Sequence, residues 1–149
     1  MNGVRDDLHA VATQKLRRIS QRYTSGRRLI VDVLAAADGP LTIPEIVQQE
    51  DALATSSVYR NLVTLEQAGV ATRIVTTKDH ARYELSEVFG HHHHHLVCVD
   101  CGKVSDFTLP TGVEQSLDQA LRRAARKEGY RPDAHRLDLT GTCPDCQAV

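Results

Sequence analysis

The sequence has no tryptophan, four tyrosines and two phenylalanines. A core with so few rings must be built from Leu, Val, Ile and Ala, which suits packed helices and a modest sheet. No stretch approaches the ~18 apolar residues of a membrane-spanning helix. The opening residues, MNGVRDDLHAV, lack an apolar run followed by a small-residue cleavage pattern. Together these absences predict a cytoplasmic protein without a membrane partner. There is no H-E-x-x-H, no recognisable Ser-His-Asp set and no Gly-rich phosphate loop, so the chain does not read as an enzyme. Strong net charge is also missing: the formal value is -1, which alone argues against nucleic-acid binding.

What is present is 149 residues, 41% hydrophobic and 25% charged, a globular composition with room for one ordinary domain or two small ones. The charge is unevenly placed. Residues 1–83 carry 11 Lys+Arg against 9 Asp+Glu, a balance of +2, and residues 84–149 carry 7 against 10, a balance of -3. Lys15 to Arg28 holds six basic residues and no acid, a patch compatible with DNA.

Leu8, Val11, Leu16 and Ile19 recur at roughly helical spacing. Thr24 or Ser25 can cap a second helix carrying Leu29, Ile30, Val33 and Leu34, ended by Asp38-Gly39-Pro40. Thr42-Ile-Pro-Glu45 has a capping-box pattern and opens a short third helix to about Gln49. Thr55 opens a fourth, with Val58, Leu62, Leu65 and Ala68 on one side and Gly69 as its stop. Val70–Val75 and Ala81–Leu85, joined by a polar turn, read as a β-hairpin. Helices followed by a hairpin is the order of a winged helix-turn-helix, so residues 1–85 are expected to form such a domain and 86–90 a linker. Residues 91–149 restart with a β-prone run from His91 to Val99 and a candidate strand over Val104–Leu109. A helix over Pro110–Gly129 and a strand over His135–Thr140 follow. The class is α+β.

Cys98-Val-Asp-Cys101-Gly102 and Cys143-Pro-Asp-Cys146 are two C-x-x-C knuckles. In a reducing compartment, paired knuckles favour metal over disulfides. Each turn puts two thiolates on one side of a tetrahedron, and two turns close the shell around Zn2+, leaving no open position for catalysis. A redox C-x-x-C should lie between a strand and a helix, whereas the second knuckle is near the C-terminus with no helix expected after it.

His91 to His95 resembles a purification tag but is internal and runs directly into Leu96-Val97-Cys98. In a strand, alternate side chains face opposite ways, so His93 and His95 share one face and His92 and His94 the other. One strand could then serve two metal sites. Glu84 is the candidate to join His93 and His95 across the linker, with His80 a weaker one. Glu114 or Asp118, with His135, could join His92 and His94. Imidazole suits Zn, Fe, Ni or Cu, and carboxylates widen the choice to Mn.

The order of a basic N-terminus, Ser56-Ser-Val-Tyr-Arg-Asn-Leu62, Arg82-Tyr-Glu-Leu85, His91-His-His-His-His-Leu-Val-Cys98, Cys101-Gly-Lys103 and Cys143-Pro-Asp-Cys146 resembles the ferric uptake regulator family, from about Tyr23 to Cys146. The resemblance implies a winged-helix DNA-binding domain, an α/β dimerisation and metal-binding domain over 91–149, and a metal-loaded homodimer that represses by binding palindromic double-stranded operator DNA. Carried over residue by residue, Cys98, Cys101, Cys143 and Cys146 match the family's structural zinc site. Glu84, His93 and His95 match its hinge sensor site, and His92, His94 and His135 match the further site in the dimerisation domain. The acidic ligand there is Glu114 counting from Cys101, or Asp118 counting back from His135; Glu114 is preferred. Leu41 stands where a further hinge ligand is often found, Thr72 where zinc sensors have an aspartate, and no cysteine lies between Glu84 and His91. The pattern leans away from a zinc sensor and towards iron or manganese, so the regulatory ion is Fe2+, Mn2+ or Zn2+, and His80 is the candidate for the missing ligand. In the fourth helix, the expected recognition helix, Thr55, Ser56 and Ser57 could touch phosphates or base edges, Tyr59 a thymine methyl, and Arg60 a phosphate or guanine. Lys15, Arg17 and Arg27 would grip the backbone, with Lys78 at the wing tip; core packing is the alternative for Tyr59. A metal store or carrier would explain the histidines but not Ser56–Leu62, and a small metalloenzyme lacks a general base.

Overall fold

The structure, a computed structural model, describes residues 2–76 and 80–148. Helix α1 (Asn2–Arg18) starts well before the apolar stripe that announced it and is held by Ala12 and Leu16, both fully buried and one turn apart. Thr24 caps α2 (Ser25–Ala36), its hydroxyl accepting from the Arg27 amide. The short helix α3 (Ile43–Gln49) has a complete capping box: the Glu45 amide donates to the Thr42 hydroxyl, and the Thr42 amide donates to the Glu45 carboxylate at 2.7 Å. Helix α4 (Thr55–Gln67) buries Val58, Leu62 and Leu65, and Gly69 takes the left-handed φ of 69° that lets the chain leave the helix.

Three strands lie beside these helices: β1 (Leu41–Thr42), β2 (Ala71–Ile74) and β3 (Arg82–Leu85), antiparallel in the order β1-β3-β2. β1 was not expected; it is two residues long, too short for a periodic pattern, and is recruited by pairing with Arg82 and Tyr83. The four helices and this sheet enclose the main apolar core, which includes Leu16, Ile30, Val31, Ile46, Leu62 and Leu65. Tyr83 points into that core. Its neighbours Arg82 and Glu84, by strand alternation, face the other way.

After a 3-10 turn at Glu87–Phe89 comes a second sheet, ordered β5-β4-β6: β4 (His94–Cys98), β5 (Val104–Phe107) and β6 (Asp138–Gly141). β4 is central, antiparallel to β5 and parallel to β6, with helix α5 (Thr111–Lys127) carrying the chain between those neighbours. Two strands begin later than their sequence suggested. β4 starts at His94, because β5 ends at Phe107 opposite it; β6 starts at Asp138, opposite His95. One turn of helix, α6 (Pro144–Gln147), forms within the second knuckle, where none was expected. Pro144 opens it, and the Cys146 and Gln147 amides both return to the Cys143 carbonyl.

This half of the chain buries little. Helix α5 has no buried residue, and Leu96 and Leu139, cross-strand neighbours on β4 and β6, are about half exposed (45% and 50%).

Candidate metal centres

Three groups of ligand-type side chains gather in and around the second sheet, with the ligand atoms of each group within 4.8 Å of one another. The first is Cys98, Cys101, Cys143 and Cys146. Cys98 ends β4, Gly102 with its φ of 74° turns the chain back towards β5, and β6 delivers the second knuckle to the first. The Cys143 amide donates to Cys98 Sγ at 3.3 Å. That bond, with the amides of Cys101 and Asp100, brings the Cys98 thiol down to about 6. Hydrogen bonding to the sulfurs of Cys143 and Cys101 pushes the Cys146 thiol up to about 12. Thiolates held this close repel one another, and a bound cation relieves that repulsion. Cys101 and Cys143 Sγ lie 3.8 Å apart, and a tetrahedron with Zn–S bonds of about 2.3 Å has an edge of about 3.8 Å. The donor set fits Zn2+.

The second group, Glu84, His93, His95 and Asp106, lies between the two sheets. Glu84 projects from β3, and its carboxylate lies 2.9 Å from His95 Nε2 and 3.2 Å from His93 Nε2. Asp106 Oδ atoms lie 3.8 and 4.0 Å from the same nitrogens. The Nδ1 sides of the rings are engaged elsewhere, His93 with the His91 carbonyl at 2.9 Å and His95 with Asp138 Oδ1 at 3.0 Å. Where a neutral ring carries its proton on Nδ1 and donates it outward, its Nε2 lone pair faces carboxylate oxygens. Acceptors facing acceptors require a proton or a cation between them.

Without a metal, protons fill that role. His93 and His95 sit above the ordinary imidazole range: burial pulls both down, but the His91 carbonyl and Glu84 outweigh it at His93, and Glu84 and Asp138 at His95. Burial pushes Glu84 up, yet His95 and His93 bring it below the usual range. Asp106 sits high because it is desolvated and beside Glu84.

The third group is His92, His94, Glu114 and His135. Glu114, from the first turn of α5, faces all three rings: His94 Nε2 at 2.7 Å, His135 Nε2 at 2.9 Å and His92 Nε2 at 3.1 Å. His92 and His135 Nε2 lie 3.2 Å apart. Again the Nδ1 atoms are held by carboxylates, Glu87 for His92 and Asp118 for His135. His94 Nδ1 is the one buried side-chain polar atom among the described residues with no hydrogen-bond partner. Hydrogen bonding to Glu87 raises His92, against some desolvation, and Glu114 adds to it. Glu114 is lowered, first by His94 and then by the other two rings. Three imidazoles and one carboxylate fit a divalent transition ion.

The His92/His94 and His93/His95 pairs therefore go to different groups, although only His94 and His95 lie in the strand. Between the two acidic candidates, Glu114 faces the ring nitrogens that converge, and Asp118 stands behind His135, paired also with Arg122 at 2.7 Å. His80 is exposed in the hairpin and outside every group; its carbonyl accepts from the Thr76 hydroxyl. Asp106, and not His80, is the fourth member of the group around Glu84. Sequence reading missed Asp106 and Asp138 because both are set by register: they are the cross-strand partners of His95 on β5 and β6.

Of the residues expected at DNA, Thr55, Ser56 and Arg60 are exposed and Ser57 is half-buried at the start of α4. Ala54 gives that helix no side-chain cap, so its first amides are open to an acceptor. Tyr59 is 60% exposed, against the core alternative. Arg17 is exposed and Lys15 half-buried. Arg27 is engaged within the fold, donating to Asn61 Oδ1 at 3.2 Å, Gln21 Oε1 at 3.1 Å and the Arg22 carbonyl. Lys78 lies outside the described residues.

Residues 18–140 match the model of the ferric uptake regulator family. The chain is 33% identical over 102 residues to a ferric uptake regulation protein of Legionella pneumophila, covering 68% of this chain and 70% of that one. It is 38% identical over 96 residues to that of Neisseria gonorrhoeae, covering 64% of this chain and 62% of the relative's length. In fold it is similar to the Helicobacter pylori ferric uptake regulator Fur, described as having three functional metal-binding sites. The TM-score is 0.74 at 25% identity, covering 96% of this chain and 93% of that one.

Proposed function

The chain belongs to the ferric uptake regulator family of metal-responsive transcriptional regulators, and from that premise we propose that it is a repressor which binds operator DNA as a homodimer when its hinge group holds Fe2+, Mn2+ or Zn2+. The observation that carries this reading is Glu84: a residue of the first sheet whose carboxylate meets His93 and His95 beyond the linker. On this reading residues 1–85 are the DNA-binding domain, 86–90 the hinge, and 91–149 the dimerisation domain.

A divalent ion supplies the positive charge that two carboxylates and two imidazole lone pairs otherwise take from protons. With it, Glu84 stays against His93 and His95, and the orientation of the winged half is held. That orientation is favoured only to the extent that the ion binds it more tightly than the open one. Support for DNA contact comes from the exposed Thr55, Ser56, Tyr59 and Arg60 and the uncapped amides of α4, which suit a phosphate. The half-exposed Leu96 and Leu139 and the unburied α5 suit a second copy. The four cysteines hold structural Zn2+, and His92, His94, Glu114 and His135 a further divalent ion. Among the described residues no helix is long and apolar enough to cross a membrane, and cytoplasmic action follows from the role.

The test is selection of duplexes by the zinc-loaded chain with and without added Fe(II) or Mn(II), followed by anisotropy on the selected duplex. Metal-dependent, salt-sensitive, specific binding supports the repressor. Metal binding without any duplex preference would leave a store or carrier.

A further inference from the structure

His95 is flanked in the second sheet by two aspartates. Asp106 pairs with it from β5 and Asp138 from β6, so the three side chains lie in a row across one face. The two aspartates engage opposite sides of the ring: Asp106 lies on the Nε2 side with Glu84, and Asp138 Oδ1 is 3.0 Å from Nδ1. Asp138 is itself held by Arg136, whose Nε lies 3.5 Å from Oδ2 and whose Nη1 donates to the Arg73 carbonyl of β2 at 3.1 Å.

We propose that Asp138 is a positioning residue for the hinge group, holding His95 in the Nδ1–H tautomer so that its Nε2 lone pair faces Glu84 and Asp106. The inference rests on the reading of that group as a metal site. It goes beyond it by assigning a function to a residue that is not a ligand.

Two acceptors compete for the single proton of the His95 ring. A neutral imidazole carries its proton on either nitrogen, and the partners decide which. Glu84 at 2.9 Å is a strong acceptor for an Nε2–H, the tautomer that blocks metal binding. Asp138 supplies a competing charged acceptor on the other side. His95 is 4% exposed, so water offers little substitute. His93 differs: its Nδ1 is fixed by the backbone carbonyl of His91, which no side-chain change removes. Among the described residues, Asp138 is therefore the side chain through which the orientation of His95 can be tuned independently of the ligands. Through Arg136 it also ties His95 to the strand that neighbours Glu84's own.

The test uses the full zinc-loaded chain and Mn(II) calorimetry, with the hinge and three-histidine events assigned by Glu84→Gln and Glu114→Gln. Asp138→Ala is expected to weaken the hinge event roughly 10- to 100-fold and to leave the three-histidine event unchanged. Asp138→Asn, whose amide oxygen still accepts from Nδ1–H, should keep most of the affinity. Long-range proton–nitrogen spectra of the sensor-metal-free chain at alkaline pH should show His95 as Nδ1–H in the parent and in Asp138→Asn, and shifted towards Nε2–H in Asp138→Ala. The inference is overturned if Asp138→Ala keeps the parent affinity and tautomer, or if both metal events weaken together. A parent chain that binds no Mn(II) at the hinge would instead overturn the functional reading, and the tautomer measurement would still decide the role of Asp138.

Discussion

Glu84 Oε1 lies 2.9 Å from His95 Nε2, joining a strand of the first sheet to the central strand of the second. The same carboxylate reaches His93 Nε2 at 3.2 Å. Two residues earlier on the same strand, Arg82 adds a different link: its Nε donates to the Gly102 carbonyl at 3.0 Å, and its Nη1 donates to the Pro40 carbonyl and to Glu45. Strand alternation puts Arg82 and Glu84 on one face of β3, one ending at a cysteine knuckle and the other at the histidines.

Arg82→Ala removes the donor for two backbone carbonyls and the partner of the Glu45 that caps α3. With the Arg82 side chain largely buried, the loss should cost about 1–3 kcal/mol of stability. Chemical denaturation of the zinc-loaded chain checks this, and a midpoint equal to that of the parent would show the links to be idle.

Glu114 and Asp118 make a matched pair of substitutions. Glu114→Gln removes the charge facing His92, His94 and His135 and should weaken metal binding at that group at least as much as the roughly 10- to 100-fold of an outer-partner loss. Asp118→Asn keeps an acceptor for His135 Nδ1 and should have a much smaller effect. Calorimetry on both variants tests the order, and a larger loss for Asp118→Asn would reverse the assignment.

Cys98→Ser should abolish retention of one zinc per chain and unravel the second sheet first. Cys98 is both the end of β4 and the acceptor of the Cys143 amide, so the knuckles lose their joint and β6 its anchor. Hydrogen exchange read by mass spectrometry should show β4–β6 exchanging early while α2 and α4 keep their protection. Loss of protection throughout would mean that the halves unfold as one unit.

The hinge group sets a pH dependence whose sign follows from its shifts. Without sensor metal, His93 and His95 bind protons more tightly than ordinary imidazoles. Their contribution to stability is full below 6.5 and is lost as pH rises through the raised folded values. Glu84 lies below its ordinary 4.5, so its contribution is present above 4.5 and is lost as pH falls through the lowered value. Thermal melts should therefore show the contribution of Glu84, His93 and His95 at its greatest between 4.5 and 6.5, while Asp106, raised above its ordinary 3.8, opposes it as pH climbs through its raised value. Metal displaces the Nε2 protons, so the metal-induced rise in Tm should grow with pH above that window. A rise that shrinks with pH would contradict the arrangement.

The sequence carried the helices well, because their signals are local: the Thr42–Glu45 capping box, the Val58–Leu62–Leu65 stripe and the stop at Gly69 all appear where periodicity and capping put them. The membership of the three side-chain groups was also largely legible, since an unbroken histidine run beside a C-x-x-C puts neighbouring rings on alternating sides, although only His94 and His95 do so within a strand. What sequence could not provide was register. Asp106 and Asp138 meet His95 only because β5 and β6 pair with β4 where they do. Nothing in the spacing of 11 and 43 residues from His95 signals this. His80 was a reasonable donor by type, but the hairpin holds it away from the histidines. The same limit applied to Arg27, which looked like a free cation and is tied across α2 and α4 by contacts distant in sequence.

On the proposed reading, metal held by Glu84, His93 and His95 switches operator binding. This switching is tested most directly by operator anisotropy for the zinc-loaded parent and for His93→Ala/His95→Ala, each titrated with Fe(II) and Mn(II), after circular dichroism has shown both to be folded. Sensor metal should tighten the parent's binding by roughly 5- to 150-fold, the ordinary range of allosteric coupling. The double variant should bind weakly whether or not metal is added. An undiminished metal response in the double variant would contradict it.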